Sequence, residues 1–254
     1  MKTRTITTAA IAIASLAGTA AAESVQLQVT IENLAPTNSI AFAPLRVGFG
    51  NGTFDGFDAG SASPAGIQAI AEGGNGVPWM GEFAAADPGA VLGSVGSGPA
   101  IPGSTATAVF NVDTVANRFF SFGSMVVPSN DHFIGNDDPL AYELFDAQGN
   151  LQLSSISQFG ADIWNAGTEI TDPTAAAFLV DGVNANRTDE NGVVGFDFAA
   201  FAAYAGLETA AGYIFDPQLT AGTEIYRISF AVVPAPGGLA FLGMGGLLVS
   251  RRRR

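Results

Sequence analysis

The sequence predicts an all-β fold, an antiparallel β-sandwich with one or two short helices. Three observations predict it. Apolar and polar residues alternate with period two in several short runs, which is the signature of half-buried strands. Those runs are separated by stretches rich in Gly, Asn, Asp and Pro. Nowhere does the chain show the strand–helix–strand rhythm that a parallel sheet needs.

In chain order, Val25, Leu27, Val29 and Ile31 alternate with Gln26, Gln28, Thr30 and Glu32, so the first strand lies here. Residues 40–49 are apolar but interrupted by Pro44, which suits an edge strand. Residues 50–63 form a Gly- and Asp-rich loop, with Phe54 and Phe57 as plugs into the core. Residues 65–72 read as a short helix with Ser63 as N-cap, Pro64 as first residue and Gly73 as stop. Residues 73–103 are loop-rich, anchored by Trp79, Met80 and Phe83. Residues 105–113 alternate again, and 119–127 are apolar enough for a central strand. Residues 140–145 and 151–153 flank a hairpin-type turn at 146–150. Residues 198–204 suit a second short helix, and 224–233 close the domain with Tyr226, Ile228, Phe230 and Val232 on one face.

Charge excludes whole classes of function. Between residues 23 and 233 there are four arginines, Arg46, Arg118, Arg187 and Arg227, against twenty-three acids, a net charge of −19. Such a surface repels nucleic acid and disfavours direct binding to anionic lipid unless divalent ions bridge the two. Cysteine is absent, so no disulfide supports the fold. A single histidine, His132, and no cysteine argue against zinc. A Ser-His-Asp triad would have to use His132, which its chain neighbour Asp131 is badly placed to orient. No Gly-rich phosphate loop carries a lysine. The expectation is a protein that is not an enzyme, although a glycosidase needs only two carboxylates and composition does not mark a pair.

The stretch around which the domain is organised is Ser124 to Asp138. Pro128 ends an apolar strand because it has no N–H for the ladder. Ser129 and Asn130 make a turn, Asp131 follows on it, and Asp137 and Asp138 lie a few residues on. With so few basic residues, a bound cation is the expected counter-charge. The alternative is that Asp131 accepts backbone N–H bonds and holds the turn without metal.

This stretch, Met125-Val126-Val127-Pro128-Ser129-Asn130-Asp131-His132-Phe133-Ile134-Gly135, is followed by Trp164-Asn165-Ala166-Gly167-Thr168-Glu169. With the opening strand ending Ile31-Glu32-Asn33-Leu34 and the segment from Phe57 through Ile67 to Gly73, the order resembles the spondin domain of secreted adhesion proteins. The resemblance covers most of residues 24–230. It implies an antiparallel sandwich with calcium held among loops at one end. It places a carboxylate ligand at Asp131 and a backbone carbonyl ligand at Phe133. Asn165 stands where the family has an acid, and so does Asn111, with Asp113 close by. Calcium accepts amide and carbonyl oxygens, but each lost carboxylate weakens the site. A second acid-rich stretch, Asp181 to Val194, has a calcium-loop look. Aligning its glycine at 192, however, puts Arg187 and Phe198 where ligands belong, which favours a solvated turn.

The two ends read as addresses. Residues 1–22 have a basic start, an apolar run and Ala20-Ala21-Ala22, which predicts a cleaved export leader. Pro234-Ala235-Pro236, an apolar run over 237–249 and Arg251 to Arg254 resemble the PEP-CTERM sorting signals of Gram-negative bacteria. That resemblance implies transient anchoring in the inner membrane, processing by an exosortase-like enzyme, and a final place in the periplasm, on the cell surface or outside. A plain membrane anchor is the alternative. Together these features predict an exported adhesion or extracellular-matrix module that binds a protein or polysaccharide. A structural biofilm component without a discrete ligand is the second expectation, and a carbohydrate-active enzyme the third.

Overall fold

The computed structural model describes residues 24–234. The leader expected over 1–22 and nearly all of the tail expected over 234–254 lie outside the described residues. Among the described residues no helix is long and apolar enough to cross a membrane.

The first strand, β1 (Ser24–Asn33), follows its alternation: Leu27, Val29 and Ile31 are buried, while the polar residues between them keep partial exposure. Then come β2 (Ala41–Phe42) and β3 (Leu45–Gly50). Two helices follow, α1 (Ala65–Gly73) and α2 (Val77–Ala86). The strands resume as β4 (Val91–Val95), β5 (Thr105–Asp113), β6 (Phe119–Val127) and β7 (His132–Gly135). They end with β8 (Ser155–Phe159), β9 (Trp164–Asn165), β10 (Gly195–Phe196) and β11 (Glu224–Val233). All strand pairs are antiparallel and form two sheets. One has the order β5-β1-β11-β8, and the other β10-β9-β7-β6-β3-β4, with β2 also pairing β6.

The sheets pack face to face through one core. Phe42 meets Tyr226 with ring centroids 4.5 Å apart, and Phe120 meets Phe230 at 4.9 Å. Strand β6 is buried on both faces from Phe120 onward, as its unbroken apolar run requires. One face looks into this inter-sheet core. The other is covered by α1, while α2 lies on the neighbouring β3 and β4, and the two helices build a second core from Phe54, Phe57, Ile70, Trp79, Phe83 and Trp164.

Four expectations are corrected. Residues 40–49 do not form an edge strand. Pro44 falls in the gap between β2 and β3, so it costs no ladder bond, and β3 sits inside its sheet between β6 and β4. Helix α2 lies in a stretch expected to be loop. Pro78 and Gly81 hide it, but Trp79 and Phe83, one turn apart, are its buried stripe. Helix α1 is not capped by Ser63; Pro64 is the N-cap residue, and the carboxylate of Glu82 on α2 accepts the Gly66 N–H at 2.9 Å. Residues 140–153 make no hairpin of strands but a single bridge, Phe145 to Leu151. The turn itself is as expected, with Asp146 Oδ1 accepting the N–H groups of Gln148 and Asn150.

Gly48 decides how closely α2 seats on β3. A Cβ on Gly48 of β3 would lie 2.1 Å from the Phe83 ring, so only glycine lets α2 rest on that strand.

Candidate functional site

The chain leaves β6 at Val127, turns through residues 128–131 and re-enters the sheet as β7. Ser129 closes this turn on itself: its hydroxyl donates to Val126 O and accepts the His132 N–H at 3.2 Å. Asn130 reaches outward instead. Its Oδ1 accepts the Asp172 N–H and the Tyr204 hydroxyl, each at 3.0 Å.

Asp131 is fully buried and faces the turn that follows β9. Its main-chain carbonyl accepts the Ala166 N–H at 3.0 Å. Its Oδ2 accepts the N–H groups of Thr168 at 2.9 Å and Glu169 at 3.1 Å, and its Oδ1 accepts Asn165 Nδ2 at 3.0 Å. The two turns therefore meet at one pole, pinned by a single carboxylate. Gly167 completes the fit. Its φ is +68°, and a Cβ there would lie 2.6 Å from the Val193 nitrogen.

The orientation of Asn165 follows from its neighbours. Its Oδ1 accepts the Gly167 N–H at 2.6 Å while its Nδ2 faces Asp131. Flipping the amide would set oxygen against carboxylate and N–H against N–H, so the arrangement is determined. The groups directed at Asp131 are thus N–H donors. Calcium requires six to eight oxygens, and the residues at this corner do not fit it. Phe133 lies in β7 with its ring in the second core and its main chain between β6 and β9, in register with Met125 and Trp164. Asn111 is not brought to the corner. It is an exposed residue of β5, paired with Gln26, near the pole from which β6 starts. The nine residues of β6, at about 3.3 Å each, separate that pole from Asp131. Among the described residues no group of three or more His, Cys, Asp and Glu converges as metal ligands would.

The counter-charge at this pole is a guanidinium. Arg187 makes a bidentate pair with Glu72 of α1, one bond at 3.0 Å, and its Nη1 lies 3.1 Å from Glu169 Oε1. Asp189 Oδ1 is 3.1 Å from Nη2. These acids, Glu72 before any other, hold the Arg187 guanidinium above its ordinary pKa. Glu169 is fully buried, and burial pushes its carboxyl up to about 7 against the pull of Asn130 and Arg187. Arg187 thus ties helix α1, the turn after β9 and the acid-rich stretch 181–194 together. The Glu169–Asp189 bridge and the Gly192 N–H to Gly167 O bond, 2.8 Å, fasten that stretch further. Arg187, Glu72 and Glu169 were not singled out from the sequence. The available signal was the scarcity of cations, since each internal arginine of so acidic a body is a candidate partner for several acids.

His132 is enclosed beside them. Its ring packs on Phe201 with centroids 5.0 Å apart, and its Nδ1 lies 3.6 Å from Asp131 Oδ1 without a hydrogen bond. Burial lowers its pKa and keeps the imidazole neutral.

Three surface hollows run outward from this pole. A hollow of about 630 Å³ lies over Arg187, walled by Ser63, Gln68, Thr168, Asp189 and Glu190. A second, about 460 Å³, shares Glu190 and extends to Thr171, Phe196 and Asp197. A third, about 160 Å³, shares Phe196 and is walled by Asn136, Tyr142, Gln158 and Asp162. No protein-family model matches the chain, and no curated protein matches it.

Proposed function

We propose that this chain is an exported, non-catalytic binding module of spondin-like type, working at the cell surface or in the extracellular matrix. The observation that supports it is the meeting of the Pro-Ser-Asn-Asp turn with the Asn-Ala-Gly-Thr turn at one pole of two packed antiparallel sheets. A spondin-like arrangement requires that meeting. The buried acids of the pole, Asp131 and Glu169, are engaged in holding turns together and are closed to a substrate. Their role in this reading is to present rigid loops. Calcium is not part of the proposal, because the groups directed at Asp131 are N–H donors. Export rests on the sequence of the two ends, with a leader over 1–22 and a PEP-CTERM-like tail over 234–254.

The test is expression of the full chain in a Gram-negative host that carries an exosortase-like enzyme. The expected product starts at Glu23, lacks the arginine tail, and fractionates with the surface or matrix. It also binds isolated matrix saturably. Retention in the cytoplasm with the leader intact would overturn the export reading. Matrix binding that never saturates would favour a structural component without a discrete ligand.

A further inference from the structure

The three hollows form a row. The first and second share Glu190, and the second and third share Phe196. Neighbouring hollows that share a wall residue adjoin, so a polar trough of three hollows runs from the pole along the β10 edge of the sheet, with the exposed Phe196 ring between the second and third. Phe196 is 59 % exposed, which is unusual for a phenylalanine in a domain with this much core. It is also immobilised. Its ring stacks on Trp164 with centroids 3.7 Å apart and planes 24° from parallel. Trp164 is itself buried, set edge-on against Phe57 at 5.2 Å, and its Nε1 donates to Gly135 O at 3.2 Å. An exposed ring on so firm a base presents a flat apolar face at no further ordering cost.

We infer that this trough is a binding site for a neutral polysaccharide, with Phe196 as the stacking platform for one sugar ring. The C–H face of a pyranose matches an aromatic ring, and its hydroxyls match the Thr171 hydroxyl and the Asp197 and Glu190 carboxylates that line the second hollow beside it. A row of hollows suits a chain of repeating units better than a compact ligand. The charge sets the class. Arg187 is the one basic residue of the walls, and Glu72, Glu169 and Asp189 already engage it, so an anionic polymer finds repulsion throughout. A peptide added to the sheet edge is disfavoured because the edge strand β10 is only two residues long and offers few ladder bonds.

This inference rests on the binding-module reading and adds a site and a ligand class to it. The experiment is native affinity electrophoresis of the full-length protein in gels containing galactomannan, xyloglucan, hydroxyethylcellulose or dextran. Alginate serves as the anionic probe and poly-lysine, in solution, as the cationic peptide probe. Retardation is expected in at least one neutral gel and not in alginate. Phe196→Ala should weaken that affinity about tenfold or more while lowering the melting temperature by no more than about 6 °C, the loss of one aromatic stack on Trp164. Phe196→Tyr should retain binding. No retardation in any neutral polymer, equal retardation of Phe196→Ala, or binding to poly-lysine alone would each overturn the inference. If Phe196→Ala is retarded like wild type and still binds isolated matrix saturably, the trough is wrong and the binding-module reading stands.

Discussion

Replacing Arg187 with methionine keeps the aliphatic stem and removes the charge. Of its three partners, Asp189 is 80 % exposed and contributes little, as solvated pairs do. Glu169 is fully buried, and Glu72 nearly so. Stranding a buried charge costs about 3–5 kcal/mol, and the partial exposure of the Arg187 side chain, 29 %, favours the lower end. Glu169 has an escape, because its pKa, about 7 with Arg187 pulling it down, rises further when that charge is gone and lets it take up a proton. The loss is therefore largest above pH 7, at about 3 kcal/mol, and shrinks toward pH 6. For a domain of this size about 2–4 °C accompanies each kcal/mol, so the melting temperature should fall by about 6–12 °C at pH 8. Differential scanning calorimetry at pH 8 and pH 6 reads both. Adding Glu169→Gln removes the stranded charge and should recover part of the loss. Arg227→Met provides the contrast: its partners Glu224 and Glu32 are partly exposed, so no fully buried acid is stranded, and its cost should stay within about 1 kcal/mol. A drop under about 2 °C at pH 8, or one of equal size at both pH values, would refute the role of Arg187 as the counter-charge of this pole.

Asp131→Asn cannot accept from Asn165, Thr168 and Glu169 at once, and one buried donor is left facing another. We expect a loss of about 2 kcal/mol by urea denaturation, with calcium at millimolar levels leaving the wild-type midpoint unmoved. A midpoint raised by calcium would show that the corner takes a cation after all. The pH dependence separates two buried groups. Glu169 holds its proton more tightly folded than unfolded, so its contribution falls as pH rises from about 4.5 to about 7. His132 is neutral when folded and protonates when unfolded below about 6.5, so its contribution rises with pH up to there. In wild type the two oppose. In Glu169→Gln the His132 slope remains, and melting temperatures should climb between pH 5 and pH 6.5; a flat or falling profile would contradict the assignment. Gly48→Ala drives a methyl group into the Phe83 ring and should cost about 1–3 kcal/mol, with Phe83→Leu restoring part of it, as thermal melts would detect.

Much of the fold was legible because strand alternation is a local property. The β1 pattern, the double-sided burial of β6 and the terminal strand β11 follow directly from which residues are apolar. The second helix was not, because Gly and Pro mask its propensity and its stability comes from Trp79 and Phe83 packing on β3. The turn at Asp131 and the turn after Asn165 could each be recognised in one dimension, and their adjacency was an expectation. The identity of the cation was another matter. Arg187 stands 115 residues from Glu72 and 18 from Glu169 in the chain, and nothing local marks it as their partner.

What the sequence determined by itself was the balance: an acidic, cysteine-free, period-two chain must fold as β-sheet around apolar burial and must neutralise the acids it buries. Only the tertiary structure decided how. It turned the Asn165 amide nitrogen toward Asp131, brought Arg187 onto Glu72 and Glu169, and left Phe196 uncovered on Trp164. These outcomes depend on which distant segments share a pole, and hydrogen-bond direction and charge pairing act only between groups that the packed chain has already brought within a few ångströms.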